Sequence, residues 1–494
     1  MTLTLAQRID RIRVRLDELL WWRERESVAV EGWTFEGEPI AVGGFWPRHD
    51  GAVALAAQGR VPEHWPLAES RLILDFGGEA LVSLGFAGGE TVRYGVDPYH
   101  REFPIRGHEF SINAEAVARL PFGEPVREPR LAVARLAWIE LPVHALHLRL
   151  KQIVETCELL AGHDVVEPLV QAAEQAFYGL EWPSATAPYT SRFAGNFKQR
   201  KIWRYPDVEG APVPLDDVQR TSVMKADLAL VDALRALQGR YPPVGDLLLT
   251  GHAHIDLAWL WPYAETRRKL RRTFHTALSL MEGSNEYLVR SGFTFNQSTA
   301  QYYAQIEEDD PELFEAIAAK IKAGSWETVG GMWVEPDTNM PTGESLARQL
   351  LYGQRYFERK FGIRHTVCWL PDCFGFSGAL PQLLKQAGIN SFFTIKVNWN
   401  ENNKFPVDLF WWEGLDGSRV LAHTFENPRG GYNGELGPEA YLSTWRNFRQ
   451  KALHGQSLLA IGYGDGGGGV TPEFVEREMQ LRDFPVLPTA RWGR

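Results

Sequence analysis

A chain of 494 residues is far longer than one small core requires, and at ordinary domain sizes it is expected to form two or three domains. Hydrophobic residues make up 44% and charged residues 23%, enough apolar side chain to exclude wholesale disorder. The 52 basic and 62 acidic side chains leave a net charge of −10 without charge blocks. This excludes binding nucleic acid or an anionic membrane through bulk charge and suits a neutral or cationic small substrate.

From the N-terminus, Leu5, Ile9, Ile12, Leu16, Leu19 and Leu20 recur at three- and four-residue spacings, which predicts an amphipathic helix over about 3–25. Charges at Arg8, Asp10 and Arg11 interrupt any apolar run before it reaches the length of a signal segment or a membrane span, so a cytoplasmic protein is expected. The three cysteines, Cys157, Cys368 and Cys373, form no C-x-x-C pair and point to a reducing compartment. From about 27 to 150, short apolar runs separated by glycine pairs at 77–78 and 88–89 predict a β-rich domain. Helical periodicity returns over 151–181 and 215–239, and Tyr241-Pro-Pro-Val-Gly245 marks a domain boundary.

After Gly245 the pattern alternates. Strands are expected at 247–249, 293–296, 326–329, 367–370 and 391–395, with helices at 263–282, 311–322, 344–361 and 379–387 between them. Alternation of this kind gives a parallel sheet or barrel, whose chemistry sits on loops leaving the C-terminal strand ends. Polar clusters stand at such ends. In Gly251-His-Ala-His-Ile-Asp256, extended backbone would turn His252, His254 and Asp256 to one face, a nitrogen and oxygen donor set for a zinc-class cation, unless one histidine only satisfies local hydrogen bonds. Pro371 ends the next such strand and presents Asp372 beside Phe374 and Phe376, as nucleophile, metal ligand, pKa-shifted acid or plain helix cap. Trp333-Val-Glu335-Pro-Asp337 offers an aromatic platform and two carboxylates, a mixture that suits sugar recognition or a capped turn. Gly462-Tyr-Gly-Asp465-Gly-Gly-Gly-Gly469 lacks the lysine of a phosphate loop and reads instead as closely approached backbone plus one carboxylate, Asp465. Eighteen tryptophans supply flat faces for cores and for stacking on sugar rings.

Taken together, Gly251–Trp261, the element at 333–339, Trp369–Phe376 and Gly462–Gly469 resemble the glycoside hydrolase family 38 α-mannosidases over about 246–494, and the segment before them resembles the N-terminal region of the cytosolic or vacuolar subgroup. The resemblance implies an α/β architecture: a (β/α)7 barrel-like catalytic domain at 246–494, preceded over 1–245 by a β-rich domain with flanking helices. It implies a retaining hydrolase of terminal α-mannosides using zinc (or cobalt). In this reading His254, Asp256 and Asp372 ligate the metal and His252 is a neighbour. Asp372 is also the nucleophile, and Asp465 lies in the loop of the acid/base. Trp259, Phe374, Lys396 and Asp337 contact the sugar, with Trp333 as a further platform. The family's remaining metal ligand is a histidine from beyond the barrel, followed by helical and β domains, and this chain is expected to stop short of them.

The expected partner is an α-mannoside oligosaccharide or glycoside, with no nucleic acid and no membrane, and a homo-oligomer is left open. Two other readings stand beside the mannosidase. One is a metal-dependent deacetylase or amidase, in which metal-activated water attacks without a covalent intermediate. The other is an inactive carbohydrate-binding fragment, favoured by the missing C-terminal ligand.

Overall fold

The computed structural model describes residues 3–181, 214–283, 291–425, 434–464 and 466–494. The first helix spans Leu5–Trp21. Thr4 caps it, accepting from the Gln7 backbone N–H while the Gln7 side chain accepts from the Thr4 N–H, and it buries Ile12, Leu16 and Leu19. It stops short of residue 25 because Glu24–Ala29 joins a sheet instead.

Two antiparallel sheets follow. One is four-stranded, in the order Glu24–Ala29, Val133–Ile139, Ser70–Asp75, Glu102–Pro104; the other has Val53–Arg60, Glu109–Val117 and Glu79–Phe86 at its centre. Alternate residues of Val53–Arg60 are buried, as a half-buried strand requires. Leu72 and Leu74 of the first sheet share one apolar cluster with Leu55, Val82, Leu84 and Ile112 of the second. The glycine pair Gly88-Gly89 takes positive φ at the hairpin between Glu79–Phe86 and Thr91–Val96.

The β-rich segment ends at Ile139, earlier than its expected limit of 150. Glu140 alone separates the last strand from the helix Leu141–Leu159, whose first turn holds Pro142. The helical stretch expected at 151–181 is two helices, Leu141–Leu159 and Val166–Tyr178, with Gly162 at φ +87° between them. A third, Asp217–Arg240, carries an Asp216/Gln219 capping box. These helices pack into the same apolar cluster as the sheet that follows: Ile12, Leu150 and Leu230 join Leu247, Leu249, Phe295 and Leu459.

The C-terminal half is mixed α/β. Its first sheet is parallel, in the order Trp326–Thr328, Phe295–Gln297, Asp246–His252, Ser457–Ile461, with Thr489–Trp492 also paired to Asp246–His252. A second sheet sets Val367–Trp369, Ser391–Phe393 and Arg419–His423 in parallel and adds Leu409–Glu413 antiparallel at its edge. Helices Tyr263–Glu282, Pro311–Ala323, Gly343–Phe361 and Leu380–Gln386 fall where expected, and a further helix, Ala300–Asp309, precedes Pro311 with only Asp310 between them. Ala460 of the first sheet and Val329, just past its strand Trp326–Thr328, meet Trp369 and Phe393 of the second and Ile395, just past Ser391–Phe393, in one apolar cluster, so the C-terminal ends of both sets of strands converge. Among the described residues, no helix is long and apolar enough to cross a membrane.

The β-rich part is locked to this half through buried charge. Glu79 Oε2 lies 2.6 Å from Lys269 Nζ and 3.2 Å from Arg272 Nη2, and Arg272 in turn pairs with Glu265. All four side chains are buried.

Candidate active site

The strand Asp246–His252 hands the chain to a loop, and the side chains at its end part company. His252 turns toward the neighbouring strand, with Nδ1 2.7 Å from Asn296 Oδ1. Burial pushes its pKa down to about 4, so this ring is neutral. Strict alternation would have kept it beside His254, but regular pairing ends at His252 and the loop that follows aims His254 elsewhere.

His254 Nε2 lies 3.4 Å from Asp256 Oδ1 and 3.6 Å from Asp372 Oδ2. The structure thus brings together one imidazole and two carboxylates from two strand ends, with a donor atom of each within 4.8 Å of the others. One nitrogen and two hard oxygens at this spacing are the donors a zinc-class ion takes, so the residues fit such a group. Burial drives the His254 imidazole toward its neutral form, but the Asp256 and Glu335 carboxylates outweigh it and hold the proton on well above the ordinary range.

Asp372 does not cap the helix that follows, which begins at Leu380 with Ala379 before it. Its Oδ1 instead lies 2.7 Å from Lys396 Nζ, whose ammonium sits 3.3 Å from the centre of the Trp399 ring and 4.6 Å from that of Phe374. Phe374 and Trp399 leave large parts of their side chains exposed, the first 73% so, and offer flat apolar faces beside the Lys396–Asp372 pair; Trp259 is exposed too, with its ring against Phe122 and Trp261. Trp333 is half-buried and tied by its indole N–H to Gln301 Oε1.

Asp337 stands apart from the carboxylate cluster. It is exposed, and its Oδ1 accepts from the backbone N–H groups of Asn339 and Met340, each at 2.8 Å, which holds the carboxyl below its usual range. Its loop still borders the Asp372 loop, because Thr338 Oγ1 donates to Gly375 O at 2.7 Å.

Asp465 lies outside the described residues, and the glycines after it are described. The N–H groups of Gly466 and Gly467 donate to the His254 carbonyl at 3.3 and 3.1 Å. Lys269 Nζ donates to Gly466 O at 3.2 Å, and Thr273 Oγ1 donates to Gly467 O. A Cβ on Gly466 would stand 2.3 Å from the Pro121 carbonyl oxygen, so only glycine permits this approach.

Trp399 has no individual signal in the sequence, and Glu335, legible there as one of two carboxylates in its motif, has none for the partner it finds. Trp399 becomes part of it only because the Ser391–Phe393 strand end delivers Lys396 beneath its ring. Glu335 faces His254 Nδ1 at 3.5 Å, a contact between separate strand ends that no local pattern announces. A cavity of about 520 Å³ lies elsewhere, between the β-rich part and the helices, and none of His254, Asp256 and Asp372 lines it.

Residues 245–494, half of the chain, match the family model of the glycosyl hydrolases family 38 N-terminal domain. The chain belongs to glycosyl hydrolase family 38. All three residues of the His254 cluster fall inside the family 38 region. Alpha-mannosidase G of Dictyostelium discoideum is 43% identical over 238 residues, which cover 48% of this chain and 21% of that protein. Alpha-mannosidase of Saccharomyces cerevisiae is 41% identical over 262 residues, 52% of this chain and 24% of that protein. Human alpha-mannosidase 2C1 is 43% identical over 239 residues, 48% of this chain and 22% of that protein. The match thus spans less than a quarter of each relative's length.

Proposed function

We propose that this protein is a retaining α-mannosidase in which Asp372 is the nucleophile. Family 38 membership and the relatives' names support the substrate class. The observation that carries the chemistry is the Asp372 carboxylate, set with one oxygen against Lys396 Nζ and the other against His254 Nε2. A carboxylate gripped on both oxygens has a fixed direction of attack, which is what near-attack positioning needs.

In this reading the exposed faces of Phe374, Trp399, Trp259 and Trp333 stack on the sugar and exclude water from it. Asp372 attacks the anomeric carbon as the bond to the leaving oxygen breaks. A second carboxylic acid, assigned to Asp465, gives its proton to that oxygen. The resulting glycosyl ester is cleaved when the same group, now a base, takes a proton from water attacking the anomeric carbon, which frees Asp372 and a mannose of unchanged configuration. His254, Asp256 and Asp372 would hold a divalent cation, zinc or cobalt, whose charge polarises sugar hydroxyls. Lys396 keeps Asp372 oriented throughout.

The same reading takes residues 1–245 as the β-rich domain with its helices and 246–494 as the catalytic domain. The parallel pairing throughout the first sheet and among three strands of the second, with their shared apolar cluster, supports a (β/α)7 barrel-like catalytic domain. Three free thiols and the absence of a membrane-length helix among the described residues agree with a cytoplasmic setting.

The test is hydrolysis of an aryl α-mannoside followed by NMR of the first-formed sugar. Release of the α-anomer that disappears in Asp372→Asn is the expected result. Release of the β-anomer, mannose binding without turnover, or cleavage of an N-acetyl substrate instead would overturn the assignment.

A further inference from the structure

His254 has two ring nitrogens, and the structure gives them different neighbours. Nε2 faces Asp256 and Asp372, while Nδ1 faces Glu335 Oε2 at 3.5 Å. The other Glu335 oxygen, Oε1, accepts from the hydroxyl of Ser298. Ser298 is 1% exposed and the Glu335 side chain 14%, so little water competes for either.

The three residues arrive from three adjacent strands of one sheet. His254 follows Asp246–His252, Ser298 follows Phe295–Gln297, and Glu335 lies beyond Trp326–Thr328. Ser298 stands between the other two in strand order, and its hydroxyl holds the Glu335 carboxylate so that the free oxygen is presented to the imidazole.

A neutral imidazole carries its proton on one nitrogen and a lone pair on the other, and only the lone pair can bind a cation. Carboxylates face both nitrogens, so Glu335 acts when a cation displaces the proton from Nε2 between Asp256 and Asp372: it keeps the remaining proton on Nδ1 and leaves the Nε2 lone pair to the cation. We propose that Glu335, braced by Ser298, is a positioning residue that sets the tautomer and ring direction of His254 for divalent-cation binding. This rests on the reading of His254, Asp256 and Asp372 as the cation site and goes beyond it by naming the group that prepares one of the three donors. Glu335 itself touches neither the sugar nor the cation in this role.

The test is titration of the metal-stripped full chain with cobalt(II), read by its visible absorption band and by competition with a chelator, in wild type, Asp256→Ala, Glu335→Ala and Glu335→Gln. Far-UV circular dichroism and the thermal midpoint report folding of each. Asp256→Ala removes a direct ligand and should lose the band. Glu335→Ala should keep the band at altered position or intensity and bind cobalt about 10- to 100-fold more weakly. Glu335→Gln retains a carbonyl oxygen able to accept from Nδ1–H and should fall between wild type and Glu335→Ala. If Glu335→Ala does not fold, the intermediate loss in Glu335→Gln still decides the point.

Cobalt affinity and spectrum unchanged in every folded Glu335 variant, while Asp256→Ala has lost the band, would overturn the positioning role and leave the cation site standing. Undiminished binding in Asp256→Ala would instead refute the cation site, and the positioning role with it.

Discussion

Lys396 Nζ lies 2.7 Å from Asp372 Oδ1, and the same ammonium rests 3.3 Å from the centre of the Trp399 ring. One cation therefore orients the proposed nucleophile and anchors an aromatic face that borders it. Lys396→Met would leave the Asp372 carboxylate free to rotate and release the indole, so kcat/KM on an aryl α-mannoside should fall about 100-fold. Lys396→Arg should not restore it, because a planar guanidinium cannot occupy the same point contact between carboxylate and ring. Activity within about twofold of wild type in Lys396→Met would show that Asp372 needs no such partner.

The two carboxylates of the proposed mechanism make separable predictions. Asp372→Ala should abolish turnover of every mannoside and, by taking the paired carboxylate from the buried Lys396 ammonium, should also lower the unfolding midpoint, whereas Asp372→Asn should abolish turnover at a smaller cost in stability. Asp465→Ala should spare activated aryl mannosides more than unactivated disaccharides, because a good leaving group needs little protonation. Equal loss on both substrates would remove Asp465 from the acid role.

The alternation after Gly245 is legible in the sequence because each piece is a local pattern. Apolar runs such as Leu247–Leu249 end in polar residues, and amphipathic stretches such as 344–361 end in glycine, here Gly362 at φ +68°. Placing His254, Asp256 and Asp372 at strand ends needs only that alternation and the rule for parallel sheets. The start of the helix at Leu141 is harder to read, since the apolar strand Val133–Ile139 runs into it with no glycine or proline before Pro142. The divergence of His252 from His254 depends on where regular pairing stops, and the approach of Glu335 depends on the order of strands in the sheet. Neither is encoded within one segment. Asp337 shows that a capped turn is legible as well: its Oδ1 accepts from the two N–H groups of its own turn, one of the readings its motif allows.

Glu79 is a buried carboxylate of the β-rich part serving two buried cations of the helix Tyr263–Glu282. Glu79→Ala would leave the buried Lys269 ammonium with two backbone carbonyls and the Trp261 ring but no ion-pair partner, and should cost about 3–5 kcal/mol in urea unfolding. The joint replacement Glu79→Leu with Lys269→Met should cost less than the sum of the single changes, because no uncompensated charge remains. Lys269 also holds the Gly466 carbonyl, so the double variant should lose activity even where stability recovers. A fully active double variant would show that the loop is held without this contact.

His100 gives the last prediction, a pH dependence of stability whose sign follows from its surroundings. Its Nδ1 lies 3.0 Å from Asp97 Oδ2, and its Nε2 lies 3.1 Å from the Val470 carbonyl, across the junction of the β-rich part and the C-terminal half. Burial alone would push the imidazole down, but the Asp97 carboxylate outweighs it and the net shift is upward from the ordinary value. Burial likewise opposes the charged form of Asp97, and His100 outweighs it in the other direction, leaving that carboxyl below its ordinary range. The raised His100 stabilises the fold fully below its unfolded pKa near about 6.5, and this contribution is lost as pH rises through the higher folded value. The depressed Asp97 stabilises the fold above about pH 4, and that contribution is lost as pH falls. The pair therefore contributes most between about pH 4 and 6.5. In urea unfolding, the stability difference between wild type and His100→Gln should be largest near pH 6 and shrink toward pH 9. A difference that stays flat or widens with rising pH would mean that His100 is not held as a cation at this junction.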